Sequence, residues 1–181
     1  MTVKGFALTP EAAADREAIR DCLARYCRGI DRRDRELLTG VYWPDATDDH
    51  IQYKGSAAGF IDWVLPLLAE MQITQHFLGQ TLILLSDDEA GAETYFQAYH
   101  CIPGAEGSRD LILGGRYLDQ FVRRQGEWRI LERTVIADWF QSGPSLRAGW
   151  SAFGMGPPPP ANLGLGGGDD PSTDLLRRFI G

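Results

Sequence analysis

The sequence predicts an α+β domain with an antiparallel sheet, and three observations carry that expectation. Before residue 72, apolar residues recur mainly at the i, i+3, i+4 spacing of amphipathic helices. From Ile73 onward the period changes to two, in four long runs. The pairs Asp87-Asp88, Pro103-Gly104 and Gln125-Gly126 have the composition of turns and separate those runs. Helices first and strands later place the two element types in separate layers.

Thr9-Pro10-Glu11 reads as a helix start, and residues 15–30 read as a strong amphipathic helix. Ile19, Leu23, Tyr26, Cys27 and Ile30 make its apolar face, and Asp31 continues the row four residues beyond Cys27. Desolvating an unpaired carboxylate is expensive, so Asp31 should cap the helix, meet a cation or work in a pocket. A shorter helical piece covers 35–42 and stops before Pro44. Residues 47–53 read as a first strand, stopped by Lys54-Gly55. Residues 59–71 read as a third helix, bent or restarted at Pro66. The four long strands are expected at 73–85, 92–102, 110–124 and 127–140.

Residues 1–145 are expected to form one folded domain, since 181 residues with 44% hydrophobic content and five tryptophans suffice for a full core. Residues 146–181 differ. GPPPPANLGLGGGDDP is too rich in proline and glycine to build a core, so a C-terminal tail is expected, flexible or packed on a neighbouring subunit. The closing DLLRRFI has the pattern of a single docking helical turn. The net charge of −7 comes without a basic stripe, which argues against nucleic acid and anionic membranes as partners. Cys22, Cys27 and Cys101 are odd in number and lack metal spacing, so reduced thiols in a cytoplasmic protein are expected. No secretion signal and no apolar run of membrane-spanning length is visible.

The strand parities point to a pocket. Thr74, His76, Leu78, Gln80 and Leu82 put a histidine on an apolar row, and Thr94, Phe96, Ala98 and His100 repeat the pattern. Leu131, Arg133, Val135, Ala137 and Trp139 place an arginine in a row otherwise fit for a core. Singly, each has an ordinary reading: a hydrogen-bonded core histidine, a buried ion-pair partner. Together with Asp31 they converge on one interior, which a pocket with a polar end absorbs and a packed core does not. Competing readings are specific. Arg28, Arg32 and Arg35 surround Asp31 as alternative partners, Tyr26 and Cys27 fit core packing, and His50, after Asp48-Asp49, fits an exposed strand start. Arg116 lies opposite in parity to Leu113, Gly115 and Tyr117, which suits an ion pair with Asp119 or a glutamate. Met71, Ile73 and Leu82 read as core, and Trp128, Trp139 and Phe140 as core or pocket wall.

The element order, with the phrases AIRDCLARYCRGIDRRD, TQHFLGQ, AETYFQAYH, GGRYLDQFVRRQGEWRILER and ADW, resembles the SnoaL-like branch of the nuclear transport factor 2-like superfamily over about residues 10–140. That branch includes scytalone dehydratase, bile acid 7α-dehydratase, lindane dehydrochlorinase and some polyketide cyclases. The resemblance implies a cone-shaped, curved antiparallel sheet with three helices packed around an internal pocket, and a homo-oligomer, most often three subunits. It also implies a lyase that needs no metal and no organic cofactor, acting on a small-molecule substrate. Asp31 and His76 match the family's carboxylate near the end of the first long helix and its histidine on the strand after the third helix. Tyr26 matches the tyrosine that the bile acid enzyme has five residues before that aspartate. Arg133, after Gly126-Glu127-Trp128, matches an arginine of the dehydrochlorinase, and His100 resembles a second pocket histidine of the scytalone enzyme. The first strand departs from that enzyme by offering His50 and Tyr53, and its late asparagine has no counterpart.

The expected site therefore assigns catalysis to Asp31, His76, Tyr26 and Arg133, and substrate contact to His100, Tyr53, His50, Phe96, Leu78, Val135 and Trp139. Asp31 would orient and activate His76 for proton abstraction from carbon, while Tyr26 and Arg133 stabilise oxygen charge. Elimination and retro-aldol cleavage both suit such groups, and rows carrying Leu78, Phe96, Val135, Ala137 and Trp139 favour a small hydroxylated aromatic or polycyclic substrate. The same fold also hosts dioxygenase small subunits, cyclase-type isomerases and ligand-binding modules, which stand as alternatives.

Overall fold

The computed structural model describes residues 9–145 together with 167, 169, 170, 172, 173 and 176. The first helix, α1, spans Pro10–Arg32. It starts earlier than the apolar row because the Thr9 hydroxyl accepts the Ala12 N–H and Pro10 supplies a preset first turn. It ends where Arg33 turns left-handed, at φ 53°. A second helix, α2 (Arg35–Val41), is capped by the Asp34 carboxylate, which accepts the Leu37 N–H at 2.9 Å. Then come β1 (Tyr42–Asp49), β2 (Lys54–Ser56) and α3 (Ala57–Ala69), followed by β3 (Ile73–Ser86), β4 (Glu89–Ile102), β5 (Arg109–Arg124) and β6 (Glu127–Pro144).

One curved, open sheet runs β2-β1-β6-β5-β4-β3. It is mixed, which corrects the all-antiparallel expectation: β1 joins β6 in the parallel sense, and every other pair is antiparallel. The expected strand at 47–53 is displaced to Tyr42–Asp49, where Tyr42, Ala46 and Asp48 alternate into the core. Pro44 is tolerated because the register with β6 breaks between Tyr42 and Thr47. Helix α3 buries Phe60, Ile61, Val64 and Leu68 against the concave side, and α1 buries Ile19, Leu23, Tyr26 and Ile30. Desolvating those two faces closes the cone around an interior space.

Three β-bulges decide which side chains reach that space. Leu78 pairs with Phe96 and Thr81 with Thr94, so β3 carries one residue more than β4 between those pairs. A one-residue insertion inverts the alternation. Ile83 is therefore buried, while Leu82, expected in the core, is 50% exposed and Gln80 also faces out. On β6, Leu131 and Asp138 are extra residues of the same kind against β5. Arg133 and Val135 stay inward, and Trp139 turns out. Its ring lies over Gly114, where an added Cβ would come within 2.4 Å of it, so only glycine admits the tryptophan there.

The convex side of the sheet exposes Phe77, Leu82, Leu84, Tyr95, Leu118 and Trp139. The proline-rich part of the expected tail, 146–166, lies outside the described residues. Farther on, Asp170 is buried against the Arg32 guanidinium (3.2 Å) and Arg28 donates to the Ser172 hydroxyl at 2.9 Å, so these residues pack on α1 of their own chain. Among the described residues no helix is long and apolar enough to cross a membrane. All three cysteines are free and buried.

Candidate active site

A cavity of about 250 Å³ lies between α1, α3 and the concave face of the sheet. All three histidines of the chain, His50, His76 and His100, line it.

Asp31 sits in the last turn of α1 and reaches across to β3. One carboxylate oxygen is 2.7 Å from His76 Nδ1, and the other accepts the His76 backbone N–H at 2.9 Å. The row of apolar residues on α1 thus ends in a carboxylate because β3 supplies two donors for it. Arg28, Arg32 and Arg35 find other partners, in Ser172, Asp170 and Asp62. An ionised carboxylate only accepts, so Nδ1 carries the hydrogen and the remaining ring nitrogen is free to act as a base. Both side chains are less than a tenth exposed, which shields the pair from competition by water.

His100 stands edge-on to His76, with ring centroids 5.6 Å apart, and has no carboxylate. Its Nδ1 is buried without a hydrogen-bond partner among the described residues. Burial, and next the neighbouring His76, depress its pKa from 6.5 to about 4. Above pH 6.5 His100 is neutral in folded and unfolded chains alike, and stability is undiminished by it. As pH falls toward 4 the unfolded chain takes up a proton that the folded one refuses, so stability should drop by about 3 kcal/mol over that window. Urea melts at pH 7 and pH 4.5 should show a clearly smaller acid loss for His100→Gln than for the native chain.

His50 faces the cavity from the turn after β1. Its Nδ1 lies 3.2 Å from Asp48, whose second carboxylate oxygen accepts the Tyr42 hydroxyl at 2.6 Å, and its ring stacks on Phe60 at 4.4 Å.

Arg133 is not on the cavity wall, which corrects its expected direct role. Its guanidinium is fully buried in a two-pronged pair with Asp119, both bonds 2.7 Å. Tyr26 and Tyr117, whose rings stand at 78° to each other, contact it at 4.0 and 4.2 Å, and both line the cavity where Arg133 does not. Burial opposes its charge, but Asp119 outweighs burial and holds its pKa well above the ordinary range. With Asp119 so engaged, Arg116 pairs instead with Asp138 at 3.0 and 3.1 Å, and Glu93 stands 3.9 Å away.

Of the other expected residues, Tyr26, Phe96 and Val135 line the cavity. Phe96 stacks on Tyr117 with centroids 4.2 Å apart. Leu78 borders instead a shallow outer recess that also touches Asp31 and His76. Tyr53 is held away from the cavity, its hydroxyl donating to the Ser56 carbonyl and its ring against Phe60 and Trp63. Trp139 lines a groove on the convex side. Residues not expected on the wall include Tyr117, Trp63, Leu67 and Met71. Tyr117 shares the parity of Leu113, and Trp63 with Leu67 sits at i, i+4, so period alone could have found them. Burial raises the Cys22 and Cys27 thiols to about 12, which removes them as nucleophiles at neutral pH. Among the described residues no three His, Cys, Asp or Glu side chains stand together as a metal site.

The family model of the SnoaL-like domain matches residues 11–134. The beta 2 subunit of the terminal oxygenase component of terephthalate 1,2-dioxygenase from Comamonas sp. is 28% identical over 124 residues, 66% of this chain and 72% of that one. A hexachlorocyclohexane dehydrochlorinase superposes with a TM-score of 0.67 at 20% identity, covering 82% of this chain and 96% of that one. A Novosphingobium aromaticivorans structure bearing the name scytalone dehydratase superposes at 0.66 and 20% identity, covering 74% and 91%. At that identity the two structures establish the shared fold.

Proposed function

The chain belongs to the SnoaL-like domain family, and from that premise we propose that it is a cofactor-independent lyase acting on a small hydroxylated aromatic compound. The observation that carries this reading is the Asp31–His76 contact of 2.7 Å at the wall of a mostly apolar cavity. His76 takes a proton from a carbon beside a carbonyl, Asp31 supports the imidazolium that results, and a leaving group departs from the next carbon. A retro-aldol cleavage uses the same base on a hydroxyl proton. Tyr26, a phenol of the cavity wall in contact with Arg133, would donate to oxygen where charge develops. Apolar cavities of about 150 Å³ accommodate benzene, so 250 Å³ suits one or two fused rings better than a four-ring skeleton. The likeness to a dehydrochlorinase and to a structure named for scytalone dehydratase supports elimination. The test is turnover of a panel of hydroxylated aryl ketones by the full chain, in the presence and absence of a chelator. Product formation that survives chelation is expected; absence of any product across the panel would remove the lyase reading.

The terephthalate dioxygenase relative favours one other reading, a non-catalytic small subunit of a ring-hydroxylating oxygenase. Co-purification with a larger oxygenase subunit, with no turnover alone, would select it. The exposed apolar side chains on the convex face also fit burial between copies of this chain. We therefore expect a homo-oligomer, with three subunits favoured, and sedimentation at micromolar concentration should give a mass near three chains; a monomer would refute it.

A further inference from the structure

Resting on the lyase reading, we propose that His50, held by Asp48, is a second catalytic residue of the cavity: the acid that protonates the oxygen leaving the substrate. Strands β1 and β3 are separated in the sheet by β6, β5 and β4, yet the curvature brings His50 and His76 to one cavity. A substrate between them is addressed from two sides, by two histidines that each have a carboxylate at Nδ1. His100, the third, has none and is kept neutral by its surroundings.

Several constraints fix His50. Asp48 is 1% exposed and is itself anchored by the Tyr42 hydroxyl, so its carboxylate balances the charge of a protonated ring from a set position. Phe60 stacks on the ring with the planes 26° apart. The backbone is pinned as well: His50 N–H donates to the Tyr53 carbonyl at 2.7 Å, and Gln52 N–H to the His50 carbonyl at 2.6 Å. That second bond closes a three-residue turn on Ile51, a β-branched residue at φ 64°. Such a conformation is costly for isoleucine, and strain of this kind concentrates where a neighbouring group must be held in place.

The step balances as follows. Neutral His76 accepts a proton from the substrate carbon, and the C–H electron pair becomes the new π bond. The C–O bond breaks with its pair going to oxygen, which takes the proton from His50 and departs as water. His76 ends protonated and His50 neutral, and proton exchange with solvent resets both. A hydroxide leaving group needs that acid, whereas chloride does not.

The experiment uses a β-hydroxy and a β-chloro bicyclic aryl ketone matched in every other atom. His50→Gln should slow loss of water by about 100-fold more than it slows loss of chloride, while His76→Ala slows both. Equal slowing of the two probes by His50→Gln, or no slowing of either, overturns the proposal. If the native chain turns over neither probe, the lyase reading fails, and ring-carbon labelling of the three histidines decides the site separately. The groups near His50 are Asp48 at the end of β1, uncharged Phe60 on α3, His100 on β4 and, at longer range, Asp119 on β5, itself paired with Arg133. Saturating β-hydroxy ketone should move the His50 signal, and Asp48→Asn should diminish that response while sparing the response of His76. An unmoved His50 signal, or a response indifferent to Asp48→Asn, overturns the assignment.

Discussion

Replacing His76 with alanine should lower turnover of an authentic substrate by a factor on the order of 100 or more, the usual reach of a positioned general base. Asp31→Asn should produce a loss of similar order with little change in fold, because the amide oxygen can still accept one of the two hydrogen bonds. The two losses should not add: once His76 is gone, Asp31 has no imidazolium to support, so the double variant should resemble the worse single one. Steady-state kinetics of the three variants checks this. Multiplicative losses would mean that the two residues act separately despite their 2.7 Å contact, and full activity of His76→Ala would end the dyad mechanism.

Arg133→Met should destabilise the fold by about 3–5 kcal/mol, since it leaves the Asp119 carboxylate buried without its cation. Lysine should not rescue it, because an ammonium cannot reproduce the two parallel bonds or the planar contact with the Tyr26 and Tyr117 rings. Arg133→Met combined with Asp119→Leu should recover most of the loss, as removing both charges removes the unpaired one. Urea unfolding of the single and double variants is the measurement. A single variant as stable as the native chain would show that the pair contributes nothing net.

The helices and the four long strands were legible because each keeps one period over many residues, so burial and spacing agree. Asp31 and His76 were legible for the same reason: each is a polar residue on a long apolar row without a bulge before it. Trp139 and Leu82 misled because a single bulged residue inverts a row and leaves no mark in composition. Arg133 was read correctly as inward but not as walled off, since nothing in its own strand tells that Tyr26 and Tyr117 close over it. The parallel placement of β1 depends on where the chain returns after α2, which local pattern does not encode.

The bulges on β3 and β6 also set how this protein can change its ligand. Leu78 and Thr81 pair with Phe96 and Thr94, two positions of β4 that share one face. Deleting one codon at Gly79 or Gln80 would therefore mend the ladder while leaving His76 and Ile83 facing as they do now. What it would remove is bend, because a bulged strand coils more than a regular one. The curvature that gathers β1 and β3 around one space is thus partly written as surplus residues, and the same holds for Leu131 and Asp138. Insertions and deletions at these points act as a gauge on cavity width that keeps the chemical groups aimed, so drift in chain length, more than exchange of wall residues, offers this scaffold its cheapest route to larger or smaller molecules.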